Sequence, residues 1–168
     1  MRIMTVCLGN ICRSPAAEAV LIHELEKAGL DHVSVTSAGT APWHVGNRPH
    51  EMTIEEGEGR GYTFSTVGVQ FLPELFDEAD LVLAMDSTNE QDLLALARTP
   101  QDAAKVVRLG AFASDAADGA RDVPDPYNGP RAGYTSMYDQ LEDAVSGLVR
   151  ALQEDSVEQV LAEHRTAH

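Results

Sequence analysis

The stretch VCLGNICRSP, Val6 to Pro15, turns a strand into a helix within ten residues, and that abruptness restricts the fold more than any other feature of the chain. Arg2 to Leu8 reads as a short buried strand, with Ile3, Met4 and Val6 as its apolar content, and Gly9-Asn10 breaks it. From Ser14 the pattern is helical. Ser14 is placed to cap, Pro15 suits the first helical position, Ala17, Val20, Leu21, Leu25 and Ala28 share one face, and Gly29 ends it. A strand that feeds a helix pairs in parallel through a right-handed crossover, and so requires further strand–helix units.

Such units follow. Val33 to Ala38 alternates valine with hydroxyl residues as a second strand, LVLAM from Leu81 to Met85 is a continuous apolar run typical of a central parallel strand, and KVVRL from Lys105 to Leu109 is a fourth. Helices are expected over Thr88 to Ala97 and over Ser136 to Gln153, the latter with Met137, Leu141, Val145, Leu148 and Leu152 on one face. A weaker one is expected around His50 to Glu56, where Gly57, Gly59 and Gly61 point to an irregular or mobile element. The pattern predicts a single-domain, doubly wound α/β sandwich of about four parallel strands with helices on both faces. Its ligand site lies outside the carboxyl ends of the strands, where the loop Cys7 to Arg13 falls. Glu154 to His168 is polar and is expected to be a helical extension or tail beyond a domain of residues 1–153.

Composition narrows the function. A chain of 168 residues supports one domain with a real core. With 12 basic against 27 acidic residues, the net charge of −15 repels nucleic acid and anionic lipid, so neither is an expected partner. No apolar run approaches the roughly 18 residues of a membrane span, and Met1-Arg2 leads directly into the first strand, so a soluble cytoplasmic protein is expected. Two cysteines in one loop are too few for a secreted disulfide scaffold and fit catalytic, redox or metal chemistry instead. Zinc would need more ligands than Cys7 and Cys12. The six histidines, at 23, 32, 44, 50, 164 and 168, show no helical pair except the last two. A Walker-type glycine-rich loop is absent as well.

A thiol attacks as a thiolate, which a helix N-terminus and a nearby cation stabilise. Leu8 to Ser14 supplies consecutive backbone N–H groups able to curl around an anion, Arg13 adds a bidentate fork, and the helix after Pro15 points its positive end inward. Gly9 permits close approach, and Asn10 tolerates the left-handed turn such a curl needs. A tetrahedral oxyanion above the Cys7 sulfur fits this loop.

At these residues the chain closely resembles the low-molecular-weight protein tyrosine phosphatases, with their Cys-x5-Arg-Ser core. SAGT at Ser37 to Thr40, WHVG at Trp43 to Gly46, AMD at Ala84 to Asp86 and VPDPY at Val123 to Tyr127 extend the resemblance from residue 1 to about 153. It implies strand order 2-1-3-4. By the same resemblance Cys7 is the nucleophile that forms a phosphocysteine, and Arg13 and the loop from Leu8 through Gly9, Asn10, Ile11 and Cys12 to Ser14 bind the phosphate. Asp125 is the general acid, and then the base. Asn10, Ser14 and Ser37 form the supporting network, and Trp43 and Tyr127 are the walls around a phenyl ring. Asp86 either supports the loop or caps the next helix. The resemblance implies tyrosine-phosphorylated proteins as partners, a monomer, and no metal or organic cofactor.

Rivals share the fold. Arsenate reductases relay oxidation through cysteines downstream, and none follows Cys12 here. Protein arginine phosphatases carry threonine where this loop has Ile11, whose bulk favours a flat aromatic substrate. A non-catalytic phosphopeptide-binding module would not need Cys7, Arg13 and Asp125 together. Two departures from the family pattern are Asn128, where a second tyrosine is common, and Asn47 to Tyr62, which lacks the Asp-Pro-Arg start of its helix. Cys12 is not needed for displacement and is expected to act as a redox guard, forming a reversible disulfide with oxidised Cys7.

Overall fold

A computed structural model describes residues 1–167 of the chain. Four strands, β1 (Arg2–Cys7), β2 (Ser34–Gly39), β3 (Leu81–Ala84) and β4 (Val106–Arg108), form one sheet in order β2-β1-β3-β4, every pair parallel. Between and after them come α1 (Arg13–Lys27), α2 (Glu51–Gly59), α3 (Ser87–Leu96), α4 (Pro100–Ala104), α5 (Arg131–Gln153) and α6 (Val157–Thr166). The two-residue alternation of the strands divides the core. Ile3, Leu81, Leu83 and Val107 face one layer with Leu21 of α1 and Tyr134, Tyr138, Leu141 and Leu148 of α5. Met4, Val6, Val82, Ala84 and Val106 face the other, with Phe71, Phe76 and Leu93 of α3. The expected three-layer sandwich is the fold.

Sequence and structure part company at several boundaries. Helix α1 starts one residue before Ser14, with Cys12 in the cap position and no side-chain cap. The Ser14 hydroxyl is not the expected cap because it is engaged inward by the Cys7 loop. Instead, Thr5 of β1 donates to the Ser14 carbonyl at 2.8 Å and anchors the first turn to the sheet.

The 47–62 segment holds a regular helix. α2 runs through Gly57 and Gly59, and His50 caps it, its Nδ1 accepting the Met52 N–H at 3.1 Å. Gly57 marks a close approach, not looseness: a Cβ there would lie 2.5 Å from the Tyr138 hydroxyl and 2.4 Å from Phe64 Cζ. The short helix α4 and the 3₁₀ turn at Pro73–Glu78 were not anticipated, and α5 begins five residues before Ser136. Helix α6 lies within the polar 154–168 stretch. Val157 and Leu161 are buried in the first core layer, and its His164 Nε2 meets Glu90 Oε2 of α3 at 2.5 Å.

No helix among the described residues is long and apolar enough to cross a membrane.

Candidate active site

The carboxyl end of β1 delivers Cys7 into a loop that returns at once as α1. Asn10, at φ 57°, supplies the left-handed turn, and its backbone N–H points at the Cys7 Sγ from 3.3 Å. The Ser14 Oγ lies 3.1 Å from the same sulfur. That oxygen accepts from Asn10 Nδ2 at 2.8 Å, so its single proton goes either to Cys7 or to the Ala38 carbonyl, 3.3 Å away. A rotating hydroxyl can therefore follow the charge on the sulfur.

Asn10 is held from every side. Its Nδ2 also donates to Ser37 Oγ at 3.0 Å, and its Oδ1 accepts the Val69 N–H at 3.0 Å. Ser37 in turn donates to Glu18 Oε2 at 2.6 Å, as does Thr66. Gly39, after Ser37, lets β2 pass close: a Cβ there would sit 2.9 Å from the Leu8 carbonyl. The loop is tied further by Thr40 and Ala41 N–H to the carbonyls of Cys7 and Leu8, both at 2.9 Å, and by His50 N–H to the Ile11 carbonyl at 2.7 Å.

Arg13 is 3% exposed, and its guanidinium is aimed by two groups: Nη1 donates to Asp86 Oδ2 at 2.5 Å and to the Val123 carbonyl at 3.0 Å. Nε is buried without a protein partner, and Nη2 lies 3.6 Å from Asp125 Oδ2. Both expected roles of Asp86 hold together, since its Oδ1 accepts the Asn89 N–H at 2.7 Å and caps α3.

Asp125 is partly exposed on the loop before α5. Its Oδ1 accepts the Tyr127 N–H at 3.2 Å, fixing the turn, while Oδ2 faces Arg13. Asn128 follows at φ 61°, a conformation an asparagine tolerates better than the tyrosine common at that position, and Gly129 N–H closes the turn on the Pro126 carbonyl at 2.9 Å.

Above the loop is a cavity of about 70 Å³. Cys7, Leu8, Gly9, Ile11, Cys12 and Arg13 form its floor, and Trp43, His44, Asp125 and Tyr127 its rim. Trp43 is 68% and Tyr127 45% exposed, so neither serves the core, and both offer ring surface to a ligand.

Cys12 sits differently from Cys7. Burial pushes its thiol up to about 11, against hydrogen bonding from Tyr134 and Thr53, and its Sγ lies 3.8 Å from the Tyr134 hydroxyl. Burial also raises Tyr134, with Cys12 beside it contributing. The Tyr134 hydroxyl lies 3.3 Å from His50 Nδ1, and the His50 ring stacks on Tyr134 and meets Tyr127 edge-on at 5.8 Å.

Every residue expected at the site is thus gathered around one loop. Glu18, Thr66, His44, His50 and Tyr134 were not expected. Glu18 carried one readable signal, a carboxylate four residues after Ser14 on the apolar side of a helix. Among the described residues, no three His, Cys, Asp or Glu side chains converge as a metal site, and His168 lies outside those residues.

The family model described as low molecular weight phosphotyrosine protein phosphatase matches residues 2–158. A low molecular weight protein-tyrosine-phosphatase of Streptomyces coelicolor is 42% identical, covering 91% of this chain and 94% of its own length. A crystal structure of a protein tyrosine phosphatase from Entamoeba histolytica superposes with a TM-score of 0.87 at 34% identity, covering 94% of this chain and 99% of that one. A Drosophila arginine phosphatase structure reaches a TM-score of 0.84 at 29% identity, covering 90% and 98%.

Proposed function

The chain belongs to the low molecular weight phosphotyrosine protein phosphatase family, whose reaction is hydrolysis of phosphoric monoesters, and we propose that it is carried out here by Cys7, Arg13 and Asp125. The observation that carries this reading is that Cys7, Arg13 and Asp125 line one cavity, with the Asn10 N–H and Ser14 hydroxyl at the Cys7 sulfur, Arg13 Nε buried without a protein partner and Arg13 Nη2 3.6 Å from Asp125 Oδ2.

In the first step the Cys7 thiolate attacks phosphorus. An S–P bond forms as the P–O bond to the aryl group breaks, and Asp125 transfers its proton to the departing oxygen. The three equatorial oxygens lie against the loop N–H groups and the Arg13 fork, donors set before the reaction starts. In the second step Asp125, now a carboxylate, takes a proton from water, which attacks phosphorus and releases the thiolate. Ser14 O–H then donates to the returning charge on sulfur, and Asn10 holds Ser14 at the correct distance.

A phosphotyrosine ring would lie between Trp43 and Tyr127, with Ile11 at the floor. The apolar Ile11 favours this flat ring over the guanidinium of a phosphoarginine, the alternative raised by the Drosophila relative. The partners in this reading are tyrosine-phosphorylated proteins, met by a monomer in the reducing cytoplasm, and it is supported by two cysteines that are both free thiols.

Cys7→Ser is expected to abolish hydrolysis of p-nitrophenyl phosphate while still binding inorganic phosphate. Asp125→Ala is expected to slow phenyl phosphate, whose leaving group has a pKa of about 10, by roughly 10²–10⁴-fold, and esters of far more acidic phenols much less. Undiminished turnover by Cys7→Ser, or an Asp125→Ala loss independent of the leaving group, overturns the assignment. Faster turnover of phosphoarginine than of phosphotyrosine peptide would favour the alternative substrate.

A further inference from the structure

Helix α6 has a task that the phosphatase residues do not account for. Most of it lies past residue 158, where the match to the family model ends. Val157 and Leu161 pack into the core layer of α5, whereas His164 meets Glu90 of α3, the helix whose Leu93 belongs to the other layer. The helix therefore passes around the β4 end of the sheet and ties the two layers together.

The contact belongs to a buried charged cluster. His164, Glu90 and Arg108, the last residue of β4, are each 8% exposed. His164 Nε2 lies 2.5 Å from Glu90 Oε2, and Arg108 Nε lies 3.7 Å from Glu90 Oε1. Arg108 Nη1 donates to Asp122 Oδ1 at 3.1 Å, and the same oxygen accepts the Ser87 N–H at 3.0 Å. Ser87 and Glu90 both belong to the first turn of α3, so that turn is gripped from two sides.

What the turn carries is Asp86, its cap. Asp86 and the Val123 carbonyl are the two groups that aim Arg13. Glu90 N–H donates to the Asp86 carbonyl at 3.0 Å, and Val123 N–H, beside Asp122, donates to the Met85 carbonyl at 2.9 Å. Against a carboxylate the ring nitrogen of His164 donates, and a charge-assisted bond of this length tolerates little displacement. A buried carboxylate also stays where its charged partners are, because leaving them is costly.

We propose that His164 is a positioning residue for phosphate binding: through Glu90 it fixes the first turn of α3, and so the aim of Asp86 on Arg13. The inference rests on the phosphate-binding role of Arg13. His164 itself does not line the cavity above Cys7.

The test compares His164→Gln, whose amide nitrogen reaches about as far as Nε2, with His164→Asn, whose amide stops short of Glu90. With p-nitrophenyl phosphate, His164→Asn is expected to lower kcat/KM by about 5–10-fold and to raise the inhibition constant of inorganic phosphate in step, while His164→Gln stays within about twofold of the parent. In an Asp86→Asn background, where Arg13 has already lost its guide, adding His164→Asn is expected to cost less than about twofold. Thermal melts of each variant place the assay below unfolding, so a loss of Tm cannot stand in for a loss of aim. Glu90→Ala removes the same bond from the α3 side, is expected to show the same dependence on Asp86, and decides the matter should His164→Asn not fold. Equal kcat/KM for the two His164 variants overturns the proposal, as does an equal loss in the parent and in the Asp86→Asn background. Turnover by the parent and its loss in Cys7→Ser stand apart from every His164 result, so failure of this role and failure of the phosphatase reading are distinguishable.

Discussion

Asp86 Oδ2 lies 2.5 Å from Arg13 Nη1, while the other oxygen of the same carboxylate caps α3. The charge that orients the Arg13 guanidinium is thus fastened to the start of α3, the helix that follows the neighbouring strand β3. Asp86→Asn separates the two roles, because the amide oxygen can still accept the Asn89 N–H while its NH₂ repels Arg13. The expected result is a kcat/KM for p-nitrophenyl phosphate reduced by about 10–100-fold with little change in Tm. A variant that lost Tm and activity in parallel would show the cap to be the larger role.

His50 also joins two tasks, the cap of α2 and a ring between Tyr134 and Tyr127. Its Nδ1 can accept from Met52 only while unprotonated, so the hydrogen of the neutral ring sits on Nε2. His50→Asn keeps a cap and loses the ring. It is expected to hold Tm while raising KM for aryl phosphates a few-fold. His50→Phe should do the reverse, keeping KM and lowering Tm by about 2–4 °C, the equivalent of roughly 1 kcal/mol of capping. Calorimetry and steady-state kinetics on both variants read the two effects apart.

Cys12 is held as a neutral thiol. Its value of about 11 leaves roughly one thiolate in a few thousand near pH 7.5, so iodoacetamide is expected to alkylate Cys7 well before Cys12, as peptide mass mapping would show. The folded value is raised above the unperturbed 9.0, so the neutral thiol is the form that folding favours. The stabilisation is therefore complete below pH 9 and is lost as pH rises from 9 to about 11, by an amount on the order of 2 kcal/mol. Denaturant titrations at pH 8 and pH 11 should differ by less in Cys12→Ala than in the parent. As a guard for oxidised Cys7, Cys12 would form its disulfide faster at alkaline pH, and loss of thiol-reversible recovery from peroxide in Cys12→Ser would support that role.

Gly57→Ala places a methyl against the Tyr138 hydroxyl, which donates to the Thr53 carbonyl at 2.6 Å, and against the Phe64 ring. A gain in helix propensity of about 1 kcal/mol is expected to be outweighed by overpacking of about 1–3 kcal/mol, so Tm falls or at best stays level. Gly59→Ala, where a Cβ meets nothing within 4 Å, should raise Tm. Thermal melts of the pair distinguish a glycine kept for space from one that is merely tolerated.

The strands and long helices were legible because their apolar residues repeat at the periods of buried elements: LVLAM could be little but a central strand, and the Met137–Leu152 stripe little but a helix. The loop chemistry was legible because Cys7, Asn10, Arg13 and Ser14 act within one turn of chain. Less could be read where a residue's task depends on a distant neighbour. Ser14 looked like a cap until Asn10 and Cys7 occupied its oxygen, and the glycines of α2 looked like breaks until Tyr138 was seen to need the space at one of them. His50 gave no sign of capping, because an asparagine or aspartate is the usual residue there.

By itself the sequence determined the alternation of strands with long helices and the anion-binding loop that holds Cys7 and Arg13, since these follow from local periodicity and short spacing, whereas Asp125 was singled out among 27 acidic residues only by resemblance to a family. Tertiary structure alone decided how Arg13 is aimed, through Asp86 and Val123 some 73 and 110 residues away, and how Asn10 is braced by Ser37, Val69 and, through Ser37, Glu18. It also set the two cysteines of VCLGNICRSP apart, one facing backbone and hydroxyl donors and the other packed beside Tyr134. The reason is physical: a hydrogen bond is settled within a few ångströms, and only the packed sheet and its helices bring residues so far apart in the chain within that range.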